Sequence, residues 1–176
     1  MIRTFLCMML CPYLLFSQEK ENKNIWQPFE YFAGNWQGVG EGRFGSSNVE
    51  REYRFIMGGT FLLGTNKSTY EKQEKNPKGE VHDNWDIISY DKQRRQFVFR
   101  QFHAEGIVNQ FVLDSLDAHK GKFEFVSEAT ENFGNGWRAK EWYEILNKNE
   151  FTETFSLAAP GEEFQVFVTN HFKRKK

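Results

Sequence analysis

The stretch that most limits what this chain can become is Phe97 to Asp114, FVFRQFHAEGIVNQFVLD. In a β-strand successive side chains point to opposite faces, so residues two apart share a face. Read that way, Phe97, Phe99, Gln101 and His103 lie together, with Val98, Arg100 and Phe102 behind them. After a short connection at Ala104-Glu105-Gly106, Ile107, Asn109, Phe111 and Leu113 oppose Val108, Gln110 and Val112. Neither face sorts cleanly into apolar or polar, as a half-buried antiparallel sheet would. Rings and hydrogen-bonding groups on one face suit a sheet curled around an interior that is neither dry core nor open water. Such an interior is a candidate binding cavity.

The rest of the chain repeats the pattern. Strands are expected at Asn35–Phe44, Asn48–Met57, Thr60–Tyr70, Glu80–Tyr90, Gln96–His103, Gly106–Leu116, Lys122–Glu131, Trp137–Asn147, Glu150–Ala158 and Phe164–Lys173. Turn chemistry separates them: Gly45-Ser46-Ser47, Gly58-Gly59, Asn76-Pro77-Lys78-Gly79, Asp91-Lys92, Gly134-Asn135-Gly136, Asn147-Lys148-Asn149 and Pro160-Gly161. Connections this short make neighbours antiparallel. An open sheet in up-and-down order would leave two bare edges, which closure removes. The expected fold is therefore all-β, a ten-stranded antiparallel up-and-down barrel of lipocalin or calycin kind, with a β-sandwich as the rival. Before it, Ile25 to Phe32 spaces Trp26, Phe29 and Phe32 for one or two helical turns, with Pro28 tolerated near the start. A lid or plug is the expected role.

At 176 residues the chain suits one domain with its own core. Residues 1–17 have the pattern of a cleaved secretory signal: Arg3, an apolar run from Phe5 to Phe16, then Ser17. The run is short for a bilayer span. Export, to periplasm or medium, is the expected localisation, with residues 18–33 a lead-in and short helix and 34–176 the barrel. Cys7 and Cys11 both fall in the leader, which leaves no cysteine for disulfide, thiolate or metal chemistry in the expected mature chain. The balance of 23 basic and 24 acidic residues gives no basic surplus for nucleic acid. The 17% aromatic fraction favours pleated sheet over helix.

Gln101, His103, Arg100 and Asn109 are candidates to orient a polar group in the cavity. Glu141 and Glu153 sit on the apolar faces of the eighth and ninth strands, beside Tyr143 and Phe151, so each must be paired or protonated if buried. Arg51, on the face of Tyr53 and Phe55, or Arg100 is the counter-charge. A structural ion pair and acid–base work both remain open for these carboxylates. Tyr53 and Trp85 complete the candidate lining, although alternation leaves Trp85 open between cavity and sheet core. His82, Asn84 and Asp86 share a face while Asp83 lies on the other, which splits that apparent metal cluster. Trp36 reads as a plug for the barrel floor. The motifs G-x-S-x-G, H-E-x-x-H, G-x-x-x-x-G-K and a dinucleotide fingerprint are absent from the sequence.

Gly34-Asn35-Trp36 at the first strand, with Arg174 closing the last, resembles the G-x-W element and terminal basic residue of lipocalin-type barrels. The run from Phe32 to Gly42 resembles the opening of the nitrobindin-like haem-binding barrels, as do Lys75 to Glu80, Ile88 to Asp91 and Phe97 to Asp114. The resemblance spans Trp26 to Lys173. It implies structural roles for Gly34, Trp36 and Arg174, a haem b cofactor, and nitric-oxide or peroxynitrite chemistry. The iron-holding histidine it implies falls near Phe167, with His171 or His103 as the available imidazoles. The leading expectation is an exported barrel holding a small, mainly apolar ligand. A haem barrel is the alternative, and a solidly packed structural barrel the second.

Overall fold

The computed structural model describes residues 24–176, so the expected leader at residues 1–17 lies outside the described residues. Ten strands follow one 3₁₀ helix, Gln27–Phe32: β1 Gly34–Gly42, β2 Gly45–Ile56, β3 Phe61–Tyr70, β4 Glu80–Asp91, β5 Gln96–His103, β6 Val108–Asp117, β7 Lys122–Glu131, β8 Arg138–Asn147, β9 Glu150–Ala158 and β10 Gln165–Arg174. A further short 3₁₀ turn, Met57–Gly59, joins β2 to β3. Every strand pairs antiparallel with its sequence neighbours, and β1 pairs with β10 to close the barrel. The expected up-and-down barrel is the fold, and the sandwich is excluded.

Closure brings strands close at β1. A side chain at Gly38 would meet the backbone oxygen of His171 at 2.5 Å, so the alternating glycines of β1 make room for β10. One turn is misread in the sequence. Gly45-Ser46-Ser47 reads as a turn, but the reversal falls at Arg43-Phe44 and β2 begins at Gly45. The side chain of Gln73 causes this: its Oε1 accepts from Ser46 N at 2.8 Å and its Nε2 donates to Ser46 O at 2.7 Å, holding the segment extended.

The interior is layered along the barrel axis. At one end the 3₁₀ helix plugs the floor, with Phe29 against Phe97, Phe123 and Phe125, and Phe32 against Tyr53, Tyr143 and Phe151. Pro28 sits in its first turn, where its missing N–H costs nothing. Trp36 donates from Nε1 to Phe32 O at 2.7 Å and is buried beneath the plug. Arg174 donates to Ala33 O at 2.8 Å and Tyr31 O at 2.6 Å while its guanidinium lies 4.1 Å from the centre of the Trp36 ring. This stack ties the first and last strands to the plug. Gly34, at φ +124°, turns the chain from plug into β1, and its backbone conformation leaves no room for a side chain beside Arg174.

The fold generates a paired prediction. Phe32→Ala, which empties the plug, lowers stability by about 3–5 kcal/mol. Trp85→Ala, on a side chain 61% exposed, changes it by less than about 0.5 kcal/mol. Denaturant unfolding of both variants checks the assignment of inside and outside.

Candidate functional site

Above the aromatic floor the inward positions turn polar. Arg51 (β2), Asn66 (β3), Asn84 and Asp86 (β4), Gln101 (β5), Asn109 (β6), Glu141 (β8), Glu153 (β9) and Asn170 (β10) are all buried. They form a belt joined by hydrogen bonds across the lumen. Arg51 clamps Glu153 with two parallel bonds, Nη2 to Oε2 at 2.9 Å, and donates from Nε to Asn66 Oδ1 at 2.9 Å. Asn66 Nδ2 donates to Asn84 Oδ1 at 2.9 Å, and Asn84 Nδ2 to Asp86 Oδ1 at 2.7 Å. Asn170 Nδ2 donates to Glu153 Oε2 at 2.8 Å. On the other side Gln101 Nε2 donates to Glu141 Oε1 at 2.8 Å, and Asn109 Nδ2 donates to Gln101 Oε1 at 3.3 Å.

The belt leaves two carboxyl oxygens over. Asp86 Oδ2 and Glu141 Oε2 are buried and have no hydrogen-bond partner among the described residues. Burial raises the Glu141 carboxyl well above its ordinary range, and the charges of Glu153 and Asp86 push it the same way. Both effects favour the protonated form of Glu141, which has a proton to offer. Burial also pushes Asp86 up to about 7, against the pull of Arg51. Burial acts on Glu153 too, but the charge and hydrogen bonds of Arg51 outweigh it and hold that carboxylate below its ordinary value. Two carboxylates on neighbouring strands are therefore pushed in opposite directions: Glu153 is held as an anion by Arg51, and the uncharged acid is favoured at Glu141.

Above the belt lies a cavity of about 470 Å³, open at the end away from the plug. Arg51, Asn66, Asn84, Gln101, Glu141, Glu153 and Asn170 border it below. Its upper wall combines Phe44, Ile107, Phe133, Phe155, Leu157, Phe167 and Val168 with His82, His103 and Glu105. His103 Nε2 lies 3.2 Å from Asn109 Nδ2, and His103 Nδ1 lies 3.1 Å from His82 Nε2. His82 Nδ1 in turn meets Glu105 Oε1 at 2.8 Å. One tautomer assignment satisfies all three contacts: His103 accepts from Asn109 and donates to His82, which donates to Glu105. Burial, and then the neighbouring His82, lowers the His103 pKa to about 4, so this ring is neutral at pH 7.

Of the residues expected to line the cavity, Gln101, His103, Asn109, Glu141 and Glu153 border it. Three do not. Arg100 lies on the outer face, donating to Gln110 Oε1 at 2.7 Å, because it is one residue out of phase with Gln101. Of the two expected counter-charges, Arg51 is the one that pairs with the belt. Trp85 is exposed on the outside, one residue out of phase with Asn84 and Asp86. Tyr53 points inward but below the belt, its hydroxyl accepting from Arg51 Nη1 at 2.9 Å, and it packs on the plug rather than the cavity. His82 and Glu105 were the missed pair. The β4–β5 register sets Asp91 against Gln96 and Asn84 against His103, and continuing it sets His82 against Glu105.

The residues do not fit a haem iron as the family resemblance implies. Phe167 borders the cavity as a ring packed edge-on against Phe44 and Phe155. His171 lies outside, about half exposed, 3.6 Å from Glu150. The bulge between Val166 and Val168 breaks the two-residue period, so Phe167 and His171 do not share a face despite their spacing. His103 borders the cavity, but its Nδ1 faces His82 Nε2 at 3.1 Å, which leaves no room for a porphyrin between the rings, and its Nε2 is held by Asn109.

The closed ten-stranded antiparallel barrel is shared with solved structures. Rv2717c from M. tuberculosis superposes with a TM-score of 0.61 at 15% identity, over 86% of this chain and 97% of that one. The S-type phycobiliprotein lyase CPES from Guillardia theta superposes with a TM-score of 0.52 at 10% identity, over 85% of this chain and 92% of that one. At such identities the likeness is one of fold. Neither a protein-family model nor a curated protein sequence matches the chain.

The belt predicts a pH dependence. A carboxyl whose folded pKa lies above its unfolded value stabilises the fold most at low pH, and that contribution falls as pH rises through the folded value. For Asp86 the window runs from 3.8 to about 7. Asp86→Asn therefore raises the Tm at pH 8 and flattens the decline across that window, as thermal unfolding at a series of pH values will measure.

Proposed function

We propose that the protein is an exported barrel that carries a small, mainly apolar, uncharged molecule with an oxygen-bearing head. The observation that carries this reading is the buried, unpartnered Oε2 of Glu141 at the base of a cavity of about 470 Å³. A cavity of this size lies within the usual range for small-molecule sites. Its aromatic and aliphatic rim suits an apolar body. The protonated form of Glu141 that burial favours offers an O–H to a carbonyl or hydroxyl oxygen, and the low local dielectric around a buried carboxyl strengthens that bond. A carboxylate head is disfavoured, because Arg51 is already neutralised by Glu153 and a second anion would lie unpaired beside Asp86. An open interior of this volume also speaks against a barrel packed solid for structural purposes.

Export rests on the sequence pattern of residues 1–17, and N-terminal sequencing of the protein from its host's extracellular or periplasmic fraction tests it. Native mass spectrometry of protein extracted gently from its host should show an added mass of a few hundred daltons, released on denaturation. Repeated recovery of the empty chain would overturn the carrier reading. Once the released molecule is identified, Glu141→Leu weakens its binding about tenfold or more, the loss of one buried hydrogen bond. Glu141→Gln, which keeps a donor, retains most of the affinity.

A further inference from the structure

The mouth of the cavity carries a second constellation that the carrier reading does not use. His82 projects from β4 and His103 from the end of β5, with Glu105 in the connection that follows. One donor atom from each lies within 4.8 Å of the others. We propose that His82 Nε2 and His103 Nδ1 bind a borderline-soft divalent ion, Zn²⁺ or Cu²⁺, with Glu105 orienting His82 from behind. This inference is independent of what the cavity carries.

The geometry supports it in three ways. First, the facing nitrogens are 3.1 Å apart. Two imidazole nitrogens each about 2.0–2.1 Å from one tetrahedral ion stand roughly 3.3–3.4 Å apart, so the rings need to open only slightly. Second, Glu105 already holds the far nitrogen of His82 at 2.8 Å. A carboxylate in that position fixes the ring and its tautomer and raises the basicity of the nitrogen facing the ion. Third, the strands fix the donors: β4 and β5 pair as far as Asn84 with His103, and Ala104 N donates to Asp83 O at 3.0 Å, so the register continues to Glu105.

Binding releases no net proton: the hydrogen on His103 Nδ1 moves to His103 Nε2, which frees Nδ1 for the ion, and the Asn109 amide turns to present its oxygen to the new N–H. The remaining coordination positions go to water or to a ligand at the mouth, because two imidazoles leave a tetrahedral ion half-filled. Two surface histidines, His119 and His171, provide internal controls.

The test is titration of the full chain with Zn²⁺ alone, read by calorimetry and by long-range ¹H–¹⁵N spectra of the histidine rings. The expected result is one ion per chain, with the ring nitrogens of His82 and His103 shifting together and those of His119 and His171 unmoved. His82→Ala and His103→Ala each abolish that binding, and Glu105→Ala weakens it by about 10-fold to 100-fold. The ring spectra of the unaltered protein decide the matter even if a variant fails to fold. Zinc that shifts only His119 or His171, or an affinity unchanged in both alanine variants, overturns the proposal.

Discussion

The ion pair between Arg51 and Glu153 governs the interior. Two charges cannot be taken out of water unless each is matched and hydrogen-bonded, and removing one partner of such a pair costs on the order of 3–5 kcal/mol. Here the match is made across the lumen, from β2 to β9, with β1 and β10 lying between them around the barrel. Once those side chains meet, Asn66 and Asn170 are drawn in to satisfy the lone pairs and protons left over. The belt thus holds the staves of the barrel at a fixed spacing. It also divides the interior into a dry aromatic half below and an open half above.

That division explains the sequence feature that first suggested a hollow. Polar residues among the rings of β5 and β6 do not mix at random: Phe97 and Phe99 belong to the floor, Gln101 to the belt and His103 to the mouth. A strand running along the axis of a layered barrel must change polarity along one face rather than between its faces. The same order recurs in β9, where Phe151 packs in the floor, Glu153 in the belt and Phe155 in the upper wall. In β2 it runs from Tyr53 through Arg51 to Ser47.

The fold was highly legible because turns and alternation are local. β5, β7 and β9 have the bounds read from sequence. The turn at Gly45 was misread because a distant side chain, Gln73, supplies the hydrogen bonds that make Ser46 extended. The site was legible only in part. Period two states which residues share a face, not which face turns inward, and on β5 both faces hold apolar residues, with Val98 as deeply buried as Phe99. Arg100 and Trp85 were misplaced for that reason. His171 falls outside the lumen because the bulge at Phe167 breaks the two-residue period between the two positions, and a bulge leaves no mark in the alternation. The pairing of His82 with Glu105 needed only the β4–β5 register, and so lay within reach of the sequence.

The central claim is that the space above the belt is kept open for a molecule that reaches Glu141. The most direct measurement is a crystal structure of the protein as purified from its host. Continuous non-protein density running from the rim phenylalanines to within hydrogen-bond distance of Glu141 Oε2 is the predicted result. A cavity closed by inward rotation of Phe44, Phe155 and Phe167, with Glu141 bonded to a neighbouring side chain, would contradict the account.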